Sequence, residues 1–188
     1  MSKVSICNAA LIDLGADTIM TLTQDSESAR ACNAVFDTLL DQILTAHNWN
    51  CAKHKQALAQ SATAPLFGYE YAYALPTDPY CLKVLNLYEE DSGYEWKVVG
   101  RYLETSSETA NIEYLKRVTD INDLTPTMAA ALSALIAATI AYRITANASM
   151  RETMWKVYGG KLQDAIAKDA QEKREDLDDS DSWIDARA

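Results

Sequence analysis

Hydrophobic spacing changes twice along this chain, and that change limits the possible folds more than any single residue does. Up to His47, apolar residues recur at helical spacing: Val4, Cys7, Leu11 and Leu14, then Cys32, Phe36, Leu39, Leu40, Ile43 and His47. From Tyr69 to Val118 the period falls towards two, with Tyr69, Tyr71 and Tyr73 alternating with Glu70, Ala72 and Ala74. Helical spacing returns after Thr125, through Leu132, Leu135, Ile136, Ile140 and Ile144, then Trp155, Tyr158, Leu162, Ala165 and Ile166. The expectation is a mainly α fold. It is a helical bundle over residues 1–176, with a small antiparallel β region at about 69–118 inserted between the two helical halves.

Local signals place the elements. A helix from Lys3 to Leu14 should stop at Gly15, which tolerates a left-handed backbone. A second helix should run from Ser26 to His47, capped by Asp25 or Thr23, and bend at Asn48-Trp49-Asn50 before another helical turn. Strands are expected at Cys81–Tyr88, Glu95–Leu103 and Asn111–Val118. Turns fall at Pro76-Thr77-Asp78-Pro79 and Asp91-Ser92-Gly93. Thr125 and Pro126 open the next helix. A last helix is expected from Met150 to Glu175. Within it Gly159-Gly160 costs about 1 kcal/mol per glycine relative to alanine and marks a bend or a close helix approach.

The net charge of −10, from 17 basic and 27 acidic side chains, opposes a primary role in binding DNA or RNA, which needs clustered Lys and Arg. It suits a solubilised surface, or a wall that nucleic acid passes without sticking. Cys7, Cys32, Cys51 and Cys81 are scattered, with Cys7 and Cys32 on apolar faces, so a reducing compartment is expected. The opening residues lack the apolar core of a signal peptide. The longest apolar stretch, Met128 to Tyr142, is interrupted by Ser133 and Thr139 and reads as a buried bundle helix, so no membrane partner is expected.

Few groups point to chemistry. His47, Cys51 and His54 would share a face of a continuous helix and offer three zinc ligands. The Asn48-Trp49-Asn50 interruption and the apolar stripe through His47 favour a structural role instead. Glu89, Glu90 and Asp91 abut Ser92-Gly93 and read as a solvated hairpin tip. No nucleophile elbow, phosphate loop, dinucleotide fingerprint or zincin motif occurs. No enzyme activity, cofactor or metal is therefore expected. Tyr69, Tyr71, Tyr73, Tyr80 and Tyr88 suggest either a stacking platform or an intersubunit, tail or fibre contact; the acidic charge favours the contact. The end, residues 177–188, reads as an acidic tail. Glu175 to Asp185 holds six acids and no base, yet Leu177, Trp183 and Ile184 lie in or beside it. Trp183 either folds back onto the body or anchors another protein.

Three stretches resemble the head–tail adaptor family of short-tailed bacteriophages, also called tail tubular protein A. Ile6-Cys7-Asn8-Ala9-Ala10-Leu11-Ile12-Asp13-Leu14-Gly15 is similar to that family's opening helix, which ends in Leu-Gly. Ala29 to Leu58, with His47-Asn48-Trp49, resembles the close of its second helix. Tyr73-Ala74-Leu75-Pro76-Thr77-Asp78-Pro79-Tyr80 resembles its Tyr-x-Leu-Pro-x-Asp entry into the sheet. Cys81-Leu82-Lys83 departs from a Leu-Arg step often found there. The resemblance implies a structural subunit of a twelve-membered ring in the virion neck, assembled in the host cytoplasm. The ring would sit beneath the portal protein, continue the DNA channel without specific DNA binding, and lead to a tail tube or nozzle protein. It implies portal binding by the tail, through Leu177, Trp183 and Ile184. The alternatives are another neck, head-completion or fibre-attachment protein, and a carboxylate-based cell-wall hydrolase.

Overall fold

The computed structural model describes residues 1–88 and 95–172. The expected tail at 177–188, with Leu177, Trp183 and Ile184, lies outside the described residues, as does the Glu89–Asp91 cluster. The described residues form four α-helices: α1 (Lys3–Asp13), α2 (Glu27–Ala46), α3 (Pro126–Thr145) and α4 (Ala148–Gln171). Among the described residues between α2 and α3 there are six strands: β1 (Lys53–Ala57), β2 (Tyr71–Ala74), β3 (Cys81–Tyr88), β4 (Trp96–Val99), β5 (Tyr102–Thr105) and β6 (Asn111–Lys116).

The mainly α expectation is overturned. Among the described residues the protein is 49% helix and 20% strand, with two three-stranded antiparallel sheets, and is a mixed α/β fold. Two local features account for the extra strand content. The segment after α2 does not return to helix. It passes through one 3-10 turn, Asn50–Ala52, and becomes β1, which pairs with β6. The stretch read as one strand from Glu95 to Leu103 is a hairpin. Gly100, at φ +61°, turns the chain so that Val99 opposes Tyr102.

The helices form for legible reasons. Ser2 and Ser5 make a reciprocal capping box at α1, and Gly15 follows that helix at φ +68°. Ser26, not Asp25 or Thr23, caps α2 by accepting from the Ala29 amide at 3.2 Å. Thr125 caps α3 by accepting from the Met128 amide at 3.3 Å, with Pro126 in the first turn. Ala146 and Asn147 alone link α3 to α4, and Asn147 caps α4. The Gly159-Gly160 pair neither breaks α4 nor meets a close neighbour. Among the described residues α3 is the one helix long and apolar enough to cross a membrane, and it is instead sunk among the other helices.

Two cores result. The larger is filled by α1–α4 together with Trp49, Ala52, Leu115 and Val118. The smaller lies between the sheets and holds Tyr73, Leu75, Cys81, Val84, Leu103, Ala110, Ile112 and Tyr114. One sheet, ordered β1-β6-β3, serves both cores; the other, β2-β5-β4, packs only on the smaller. Strand β3 manages this double duty through two register shifts, which leave Leu82 and Leu85 out of the pairing with β6. Cys81, Val84 and Leu87 then face the second sheet while Leu82 and Leu85 reach the helices.

Candidate functional site

The joint between the halves is built around α2's end. His47 closes α2, Trp49 is fully buried, and its indole N–H donates to the Ile43 carbonyl at 2.7 Å. Asp169 of α4, its side chain 4% exposed, accepts from the Asn50 amide at 3.0 Å and lies 3.3 Å from His47 Nε2. The Asn50 side chain donates to the Asp169 carbonyl at 2.8 Å. This latch pins the end of α4 beside the start of β1. His47, Cys51 and His54 therefore do not share a helix face: the first ends a helix, the second sits in the 3-10 turn, and the third is on β1 with its ring 5.5 Å from Tyr114. Burial, with the Asp169 carboxylate next, pushes the Cys51 thiol up. The Cys81 thiol is likewise raised by burial. The Cys7 thiol is raised by its hydrogen bond with Cys32 and by burial; both are sealed in the helical core.

The five tyrosines separate. Tyr73 is 1% exposed, in the smaller core, and its hydroxyl donates to the Ser107 carbonyl at 2.7 Å. Tyr71 packs against that core's margin. Tyr80 is half-buried between two guanidinium groups, Arg101 at 4.3 Å and Arg117 at 4.6 Å from the ring centre. Both arginines are themselves held. Arg101 donates to the Cys81 and Pro76 carbonyls at 2.8 and 2.6 Å, and Arg117 pairs with Asp41, which raises its pKa. Tyr88 is exposed, donates to Glu113 at 3.1 Å and carries Lys55 over its ring. Tyr69 alone of the five lines a sizeable described cavity.

That cavity is a groove of about 660 Å³ on the outer face of the second sheet. Register places Ala72 and Lys97 opposite Glu104, and Val99 opposite Tyr102, so these side chains share one face. The loop between β1 and β2 roofs it with Leu66 and Phe67, which are 97% and 86% exposed. Val99 and Tyr102 are also exposed. The lining contains one carboxylate, Glu104, and one amine, Lys97, with no histidine or cysteine. Such a surface suits apolar side chains rimmed by polar groups.

Sequence reasoning missed Leu66, Phe67, Val99 and Tyr102. A signal was present: Ala57 to Tyr69 carries no charge in a chain of net charge −10, and Pro65 and Gly68 bracket the Leu66-Phe67 pair. Nothing in the sequence marked Asp169 as a latch. No family model matches the chain, and no curated protein matches it with significance.

Proposed function

We propose that the protein is a structural subunit that assembles by docking its β half onto a neighbour, as the head–tail adaptor of a short-tailed phage would. The observation that carries this reading is the Leu66-Phe67 pair standing in solvent above an apolar groove. Exposed apolar surface of this kind marks an interaction site. A closed ring joins two different faces of each subunit. A second apolar exposure suits the other side of that joint: Tyr142 and Trp155 on the α3–α4 hairpin, with Trp155 edge-on to Tyr158 at 5.8 Å. The resemblance of the opening helix, the Trp49 segment and the Pro76–Pro79 turn to the adaptor family adds the partners: a portal protein above and a tail tube or nozzle below. The acidic tail then engages the portal, and the ring's acidic wall lets DNA pass. Repetition of one modest contact around a ring makes the joint strong.

Fibre attachment is the second reading, favoured by the same groove, since its place on the β half suits a peripheral partner. Imaging the protein mixed with the portal protein of the same phage separates them. The adaptor reading expects twelve-fold rings stacked on portal. Free subunits beside bare portal rings would overturn it.

A further inference from the structure

Two surfaces on different halves of the chain match in shape and in charge. On the β half, the Leu66-Phe67 loop projects into solvent beside the groove, whose charged liners are Lys97 and Glu104. These two lie opposite each other in the β4–β5 register, yet neither is in an ion pair among the described residues. On the helical half, Trp155 is exposed on α4, its ring edge-on to Tyr158. Gly159 and Gly160 come one turn later, both exposed, and a Cβ at either would meet nothing within 4 Å. A side chain at 159 would lean back over the Trp155 indole, because helical side chains cover the turn before their own. The glycines therefore leave that ring bare and the helix flat beside it. Each costs α4 about 1 kcal/mol relative to alanine, and no contact among the described residues offsets that cost. Close approach of a body from outside the chain gives the glycines a use. One turn before Trp155 stand Arg151 and Glu152, exposed and also without an ion pair among the described residues.

We propose that these surfaces meet head to tail between copies of this chain. The groove of one copy takes Trp155 of a second copy, and the Leu66-Phe67 loop lies on the second copy's Gly159-Gly160 step. Glu104 and Lys97 of the first copy then pair with Arg151 and Glu152 of the second. Each surface offers one projection beside one depression, and one charge of each sign, so the two are complementary. The buried indole and loop supply the affinity, and the charge pairs fix the orientation. Because the two faces differ, every added copy leaves one groove and one Trp155 free, and copies add in one direction until a ring closes. The assignment rests on the reading of the protein as a self-assembling subunit and names the face that fills its groove.

Light scattering on the full chain alone, over a concentration series up to about 1 mM, tests the contact. The wild type should gain mass along the series. Gly159→Gln with Gly160→Gln fills the flat step where the helix has room, so this variant should melt at a higher temperature yet associate at least about tenfold more weakly. Leu66→Ser with Phe67→Ser should associate as weakly. An equimolar mixture of the two variants should recover a dimer and nothing larger, since each pair then holds one intact groove face and one intact α4 face. A glycine variant that associates like the wild type, a mixture that stays monomeric, or a wild type that is monomeric throughout overturns the proposal. Twelve-fold rings built on portal equally well by the glycine variant would also overturn this contact while leaving the adaptor reading standing. A recovered dimer without rings on portal would do the reverse.

Discussion

The two cores of this protein are made differently. The helical core is filled mainly by aliphatic and alanine side chains, with Trp49 its one large polar-tipped aromatic among the described residues, and α3 is mostly buried. The sandwich core is small and takes its volume from Tyr73 and Tyr114, whose hydroxyls must be satisfied. Tyr73 donates to Ser107, and Tyr114 lies 3.1 Å from Gln56 Oε1 and 3.2 Å from the Pro79 carbonyl. Apolar residues outside the cores are also unequal. The helical half shows Tyr142 and Trp155 on the α3–α4 hairpin and otherwise scattered ones, whereas the β half collects Leu66, Phe67, Val99 and Tyr102 around one groove. The difference teaches that the helical half supplies most of the core and the β half the larger apolar surface, with Trp49 and Asp169 joining them.

The largest expected effect is at that joint. Trp49→Ala removes a fully buried indole and its bond to Ile43, and should cost about 3–5 kcal/mol in urea unfolding followed by circular dichroism. A loss below about 1 kcal/mol would remove Trp49 from the joint. Leu103→Ala, at the centre of the smaller core, should cost about 3 kcal/mol. Hydrogen exchange should then rise across β2, β4 and β5 while α1–α3 stay protected; equal opening of both halves would make them one cooperative unit. Asp169→Ala strands the Asn50 amide and should cost about 2 kcal/mol, read from the shift in urea midpoint. The smallest effect has the opposite sign. Gly160→Ala meets open space inside α4 and should stabilise by up to about 1 kcal/mol in thermal unfolding.

The helices were readable because their periodicity, the Thr125 cap and the Gly15 stop are local properties of the chain, although the α2 cap fell one residue beyond Asp25. Strand β3 was equally legible, from Cys81 to Tyr88, since a short leucine-rich apolar run follows directly on the Pro76–Pro79 turn. Strand β1 was not. Lys53-His54-Lys55-Gln56-Ala57 has no alternation of its own and is a strand only because β6 lies beside it, through pairing distant in sequence. The same cause hid the site. Alternation could suggest that Tyr69, Tyr71 and Tyr73 form a platform, but the placement of β5 beside β2 buries Tyr73 and leaves Ala72 on the groove floor. Leu66 and Phe67 lay in a loop, where no periodicity flags an apolar residue as exposed.

Assembly of a Leu66→Ser, Phe67→Ser double variant tests the central claim most directly, because both side chains stand in solvent and their loss should change folding stability by less than about 0.5 kcal/mol. Sedimentation of wild type and variant with the portal protein should give rings for the wild type and only subunits for the variant. Rings of equal size and yield from both would contradict the claim that the β half is the docking surface.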